Sequence, residues 1–301
     1  MNEKITNINQ TCSVRKLRFY DGREGDQRVI VVDNGCLSFT LLQDNGLDIH
    51  DFRYKGVNMA YITKGGLLGY DADFGRRFNG GMLYTCGLDT VGGRALPVHG
   101  KYHNIPAQID SIISNENYVE INATIKDCAI LAQNLVLKRK IYCEYGSGKI
   151  TIENKIINQG YVDADYCLLF HMNIGYPMLD ECVKIVADII ETEPRTEFAK
   201  TQIDNCLQMQ EPKAGMEEQV FFHKVKEGIV KVVNEKINKV MTFKYDANRL
   251  PYFIEWKSMA SGDYALGIEP STTTLDGGFN KVKIKPQEEH DYKIEIEVND
   301  L

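Results

Sequence analysis

The sequence has no apolar run approaching the roughly 20 residues needed to cross a bilayer. It opens on the polar stretch MNEKITNINQ, with no apolar segment of the signal-peptide kind. Positive charge is in deficit: 35 Lys and Arg stand against 42 Asp and Glu, a formal net charge of −7. Nucleic acid demands a basic face, so it is excluded as a partner. The lysines that do cluster, Lys281, Lys283 and Lys285, alternate with Val282 and Ile284 as the solvated side of a strand would. Eight cysteines contain no C-x-x-C pair, and Cys128, Cys143 and Cys167 lie in or beside apolar runs, where a free thiol acts as a small buried hydrophobe. Without disulfide framework, export signal or membrane span, the expected location is the cytoplasm, with thiols reduced and no membrane partner. Long amphipathic helices, internal repeats and low-complexity linkers are also missing.

What is present is period-2 alternation. Val119, Ile121, Ala123 and Ile125 alternate with Tyr118, Glu120, Asn122 and Thr124, and Tyr292, Ile294, Ile296 and Val298 alternate with polar residues. Such a pattern gives a strand one buried and one wet face. Further strands are expected at 28–33, 35–42, 47–53, 132–144, 164–174, 182–190, 219–226, 228–234, 239–245, 251–257 and 262–269. Turn signals such as Asn34-Gly35, Asn45-Gly46 and Glu227-Gly228 punctuate them. One short stretch, 194–203, reads as doubtful helix. Many strands without a βαβ rhythm predict an all-β fold, a large antiparallel β-sandwich forming one domain over 1–301, with 1–27 as an N-terminal extension packed on it.

Residues 63–108 break the strand rhythm, and a long non-periodic loop system in a compact domain is usually functional. The part FGRRFNGGMLYTCGLDTVGGRALPVHGKYHNIPAQ carries Arg76, Arg77, His99 and His103 among glycines that include Gly80, Gly81 and Gly93. Arginine and histidine supply donors for hydroxyl or carboxylate groups. Arg76 and Arg77 can equally be surface charges, and His103 a loop cap. The H-x₃-H spacing of His99 and His103 would suit zinc on a helix, but Pro97 and Gly100 argue against a helix and no third ligand is evident, so no metal is expected. His171 in LLFHMNIGYP and Glu269 in DYALGIEP each end an apolar run. A histidine so placed is often a bonded core residue. A carboxyl buried there has its pKa raised toward the range useful for acid–base work near neutral pH.

In order, the blocks GGMLYTCGLDTVG (80–92), LPVHGKYHNIPA (96–107), HMNIGYPMLDE (171–181) and GDYALGIEP (262–270) resemble the aldose 1-epimerase (galactose mutarotase-like) superfamily, nearest to a bacterial branch of uncharacterised members of about this length. The likeness runs from about residue 28 to the C-terminus. It implies a galactose mutarotase-like supersandwich with a sugar in a cleft on a sheet face. It also implies an isomerase that interconverts the anomers of a free sugar without a cofactor, as a monomer or homodimer. Glu269 would take the proton of the anomeric hydroxyl and His171 would protonate the ring oxygen from the other side of the sugar. His99 and Arg77, or Arg76 in its place, would hold hydroxyls. Better-known members carry an aspartate between the second histidine and the glutamate; here Glu218 in EEQVFFH is the candidate for that role. PYFIEWK (251–257) resembles the penultimate strand and would bring Glu255, Trp256 and Lys257 near the cleft. Arg76, Arg77 and Lys257 leave open an anionic or phosphorylated sugar. A non-catalytic carbohydrate-binding protein, or a glycoside-cleaving enzyme using Glu255 or Glu218 as a second carboxylate, remain alternatives.

Overall fold

The computed structural model describes residues 3–69, 72–92, 97–275 and 280–301; Gly93 and Leu96 of the glycine-rich blocks lie outside these. Five antiparallel strands form a smaller sheet in chain order: Ser13–Arg18, Arg28–Asp33, Leu37–Leu42, Asp48–Tyr54 and Val57–Asn58. The larger sheet runs from Val282–Ile284 through Ala164–Ile174, Asp263–Ser271, Tyr252–Ala260 and Gln219–Asn234 at one side. It continues through Lys239–Tyr245, Glu289–Asp300, Lys149–Asn158, Asn134–Glu144 and Tyr118–Cys128 to Gln108–Ser114. Tyr84–Leu88 and Lys184–Pro194 pair off that path, against Ala164–Ile174 and Gln219–Asn234. Among the described residues no helix is long and apolar enough to cross a membrane.

The alternation read from sequence sets the core. Ile121, Leu137, Ile152, Phe243 and Ile296 from the large sheet are buried in one cluster with Leu37, Phe39, Leu41 and Phe52 from the small one. Facing apolar sets of this kind are what hold two sheets together. The predicted break at Glu227-Gly228 is not there: Gln219–Asn234 is one strand. Gly228 serves close packing instead of a turn, because a Cβ on it would stand 2.1 Å from the Tyr245 carbonyl oxygen. The doubtful helix is a short one, Glu197–Thr201, whose first turn is capped by the Thr196 hydroxyl accepting from the Ala199 N–H. Among the described residues, the segment 63–108 is mostly loop, with the helical turn Phe74–Arg77, the strand Tyr84–Leu88 beside Ala164–Ile174, and the 3-10 turn Tyr102–Asn104.

That added strand is clamped from behind. Arg139, fully buried, donates to Asp48 Oδ1 (2.6 Å), the Gly46 carbonyl (2.9 Å), Asn154 Oδ1 (2.8 Å) and Thr85 Oγ1 (2.8 Å). Asp48 also receives the Thr85 N–H at 2.7 Å and lies 2.8 Å from His103 Nδ1. The His103 ring stacks on Tyr84 with centroids 3.7 Å apart. A buried charge survives when each lone pair finds a donor, and this network ties Tyr84–Leu88 to the smaller sheet.

Candidate active site

Strand register builds the site. His171 stands opposite Tyr84 on one side. On the other side the Met172–Ile268 and Leu169–Ser271 pairs set it opposite Glu269, which in turn faces Ile254. Directly paired residues project to the same sheet face with Cβ atoms roughly 5 Å apart. The acid–base candidates are therefore neighbours in one row, with His171 Nε2 3.1 Å from Glu269 Oε1. This corrects the expectation that they flank a sugar from opposite sides: cross-strand pairing leaves no width between them for a ring.

The contact is close but unsatisfied. Glu269 Oε1 and His171 Nδ1 are both buried without a hydrogen-bond partner. Burial pushes the Glu269 carboxyl well above its usual range, helped by the charge of Glu218 and opposed by that of Arg195. Burial also holds the His171 imidazole well below its usual range, with His99 adding to the effect and Asn173 opposing it. For both groups burial disfavours the charged form. Gly267 makes the contact possible: a Cβ there would lie 2.5 Å from Glu269 Oε1, 3.1 Å from His171 Cε1 and 3.2 Å from Trp256 Cβ.

The pair forms part of the wall of a cleft of about 340 Å³. Phe74, Phe78 and Trp256 give it aromatic walls, Val220, Val98 and Leu275 apolar ones, and His99, Arg195 and Glu218 the remaining polar groups. The rings of Phe78 and Trp256 lie 5.4 and 5.5 Å from that of His171. Trp256 Nε1 donates to Glu218 Oε2 at 2.9 Å, which fixes the indole and holds the carboxylate at the cleft. Larger hollows, about 640 Å³ around Lys138, Lys140 and Lys293 and about 1350 Å³ by the N-terminal turn, contain no histidine.

His99 also reaches the cleft. It adopts a left-handed backbone (φ 58°), its N–H bonding to the Gly92 carbonyl and its own carbonyl accepting from Gly87. Its ring is 5.5 Å from that of His171, and burial brings its pKa down to about 4. His103 belongs instead to the network behind Tyr84, so the H-x₃-H pair is divided between two environments. Arg77 is not among the side chains lining this cleft. It ends the helical turn Phe74–Arg77, and its charge acts on Tyr84 and His103. Arg76 is exposed, pairs with Asp73 at 2.6 Å, and lines an adjoining hollow.

Lys257 is not at the cleft. Trp256 faces the cleft, so strand alternation sends Glu255 and Lys257 through to the other face. There Lys257 is fully buried and donates to the carbonyls of Cys206 (2.7 Å), Gln208 (3.1 Å) and Asn205 (3.4 Å). Glu255 lies 3.8 Å from its ammonium and 2.8 Å from His223 Nε2, which removes Glu255 as a second carboxylate for the cleft. Among the described residues, Cys206, His223 and Glu255 are the group close enough to share a metal ion. The Lys257 ammonium already supplies the cation beside that carboxylate.

Arg195 was not foreseen. It sits between the strand ending at Pro194 and the cap Thr196, and its N–H bonds to the Val220 carbonyl at 2.9 Å. The sequence TEPRTEF does show a strand end followed by a helix cap, the kind of junction at which site residues collect.

No curated protein matches the chain. Among solved structures, a candidate aldose 1-epimerase of Klebsiella pneumoniae superposes with a TM-score of 0.86 at 19% identity, over 97% of this chain and 86% of that one. A galactose mutarotase-like protein of Clostridium acetobutylicum gives 0.73 at 11% identity, over 97% and 100%. Galactose 1-epimerase of Lactobacillus acidophilus gives 0.68 at 10%, over 96% and 99%. At such identities the likeness carries the fold, which is that of the galactose mutarotase-like sandwiches. Residues 24–298 match the family described as Domain of unknown function (DUF4432), and the chain belongs to that family.

Proposed function

We propose that this protein is an aldose 1-epimerase, interconverting the α and β anomers of a reducing sugar by acid–base ring opening. One observation carries the reading: a carboxyl and an imidazole, both buried and both shifted toward neutrality, share a 3.1 Å contact with orphaned polar atoms at an aromatic cleft. Buried polar atoms without partners await either water or a ligand.

Anomerisation suits two adjacent groups, because the anomeric hydroxyl and the ring oxygen are bonded to the same carbon. The pair holds one proton. Burial favours it on Glu269, and a transfer to His171 gives carboxylate and imidazolium. Glu269 then accepts the proton of the anomeric hydroxyl while His171 Nε2 delivers one to the ring oxygen. The bond from C1 to the ring oxygen breaks and the C1 carbonyl forms. After rotation about C1–C2 the same transfers run backwards on the other face. Each half-reaction leaves one proton on the pair, so neither cofactor nor net proton is consumed. His99 and Arg195 orient hydroxyls and offset negative charge on the opening ring. Trp256 and Phe78 pack against the apolar edge of the sugar.

NMR saturation transfer between anomer signals, across a panel of aldoses, tests this. At least one sugar should show protein-dependent exchange, and its methyl glycoside should compete while keeping its anomeric configuration and methyl group. Methanol release would identify a glycosidase and bring Glu218 in as second carboxylate. Binding of several sugars without exchange of any would leave a carbohydrate-binding protein.

A further inference from the structure

The cleft does not end at Trp256. On the far side of Phe74, Phe78 and Trp256, which are common to both, a second hollow of about 310 Å³ opens. Tyr61 and Thr63 supply part of its wall, with the Tyr61 ring 6.5 Å from the indole. Three cations stand around it, Arg23, Lys64 and Arg76, against the single acidic residue Asp263. Two of these are already neutralised: Lys64 pairs with Asp263 and Arg76 with Asp73, each at 2.6 Å. Arg23 has no carboxylate within ion-pairing distance among the described residues. Its place is nonetheless fixed by the backbone. The 3-10 turn Gly22–Glu24 is joined to the other wall by the Gly69 N–H, which donates to the Arg23 carbonyl at 2.7 Å. Its guanidinium then lies over Gly65, where a Cβ would stand 3.4 Å from Nη2.

We propose that this second hollow receives an anionic substituent of the sugar, a phosphate ester or a carboxylate, while the ring itself lies at His171 and Glu269. This specifies the substrate class and rests on the epimerase reading. The aromatic rings shared by the two hollows pack against the carbon skeleton, and the substituent passes between them to Arg23. A guanidinium binds either oxyanion through two parallel N–H donors. An uncharged sugar would leave that guanidinium without an anionic partner.

Methyl glycosides of several hexoses, each as the neutral sugar, the terminal phosphate ester and the uronate, allow binding to be read by calorimetry without turnover. In dilute buffer at least one anionic form should bind about tenfold or more tightly than its neutral parent, a difference of roughly 1.4 kcal/mol. The phosphate and uronate arms say which anion fits. Arg23→Gln should bring the ratio of anionic to neutral affinity close to one, and added salt should shrink it in the unsubstituted protein. Anionic glycosides that bind no better than neutral ones in every hexose, or a preference that Arg23→Gln does not change, would overturn the inference. Anomer exchange of free sugars is measured separately. If neutral aldoses exchange and no anionic preference exists, the substrate class alone is wrong; if the preference stands and nothing exchanges, the epimerase reading is what fails.

Discussion

Two histidine–glutamate pairs lie back to back on the larger sheet, and they have opposite characters. His223 and Glu255 are 2.8 Å apart; the other ring nitrogen is 2.8 Å from the Thr192 hydroxyl, and the Lys257 ammonium stands 3.8 Å from the carboxylate. Around them sit Phe221, Phe253 and the carbonyls that cap the turn at Ile203–Asn205. His171 and Glu269 are equally buried, but Glu269 Oε1 and His171 Nδ1 are both orphaned, whereas in the other pair only Glu255 Oε1 lacks a hydrogen bond, and both His171 and Glu269 line one aromatic-walled cleft. Burial alone therefore does not distinguish the proposed acid–base pair. A histidine bonded at both ring nitrogens, beside a carboxylate with an ammonium next to it, is held in place by its neighbours. A pair with an orphaned atom on each member keeps lone pairs available to a ligand.

The most direct way to break this comparison is to exchange the outcomes of conservative substitutions. Glu269→Gln and His171→Asn should each lower the anomer-exchange rate by about 10²-fold or more, the scale of a lost general acid or base. Melting temperature should change little, because an uncharged amide replaces a group whose charged form burial already disfavours. Gly267→Ala should reduce activity on the same scale, since its Cβ would meet Glu269 Oε1 at 2.5 Å and force the pair apart. Near-normal exchange in Glu269→Gln or His171→Asn would remove that residue from the mechanism.

On the other face the same kind of change should act on stability. Lys257→Met leaves Glu255 buried without its cation, and Glu255→Gln leaves Lys257 without its anion. Losing one partner of a buried pair costs roughly 3–5 kcal/mol, read as a lower urea midpoint with an unchanged slope. If Glu269→Gln proved the more destabilising of the two glutamine substitutions, the distinction between a structural and a reactive pair would collapse.

The division between the faces was half legible in the sequence. Strand placement was readable wherever polar and apolar residues alternate, as in Tyr118–Cys128 or Glu289–Asp300. PYFIEWK has no clear parity, since Ile254 and Trp256 on one face are no more apolar than Phe253 on the other, and so the sequence does not show that Lys257 faces away from the cleft. The row from Tyr84 to Ile254 depends on register between strands distant in the chain, which no local pattern encodes. Arg195 enters the cleft only because its backbone is bonded to Val220, again a long-range pairing. Gly267 looked like any strand glycine. Its meaning appears only once Glu269, His171 and Trp256 stand around it. The family likeness had pointed to His171 and Glu269 as a pair, but not to their being neighbours on one sheet face.

The smallest expected effect is a pH dependence of stability. His50 and His99 are held by burial to a pKa of about 4, and His171 and His103 are also held below the usual histidine range by burial. A histidine in the unfolded chain titrates near 6.5, about the ordinary value. As pH falls from about 6.5 toward 4, the unfolded chain therefore takes up protons that the folded chain refuses, and stability declines. Glu269 works in the opposite sense: its raised pKa means that the folded chain binds a proton where the unfolded one does not, favouring the fold progressively as pH falls toward 4.5. Asp127, also raised by burial, acts in the same sense as Glu269; four depressed histidines against these two carboxyls give the net sign, so the urea midpoint should be lower at pH 5 than at pH 7. His171→Asn removes one of the four and should flatten that dependence, whereas Glu269→Gln removes an opposing group and should steepen it. A midpoint that rises on acidification, or a His171→Asn protein as pH-sensitive as the parent, would mean that this imidazole is not held neutral in the fold.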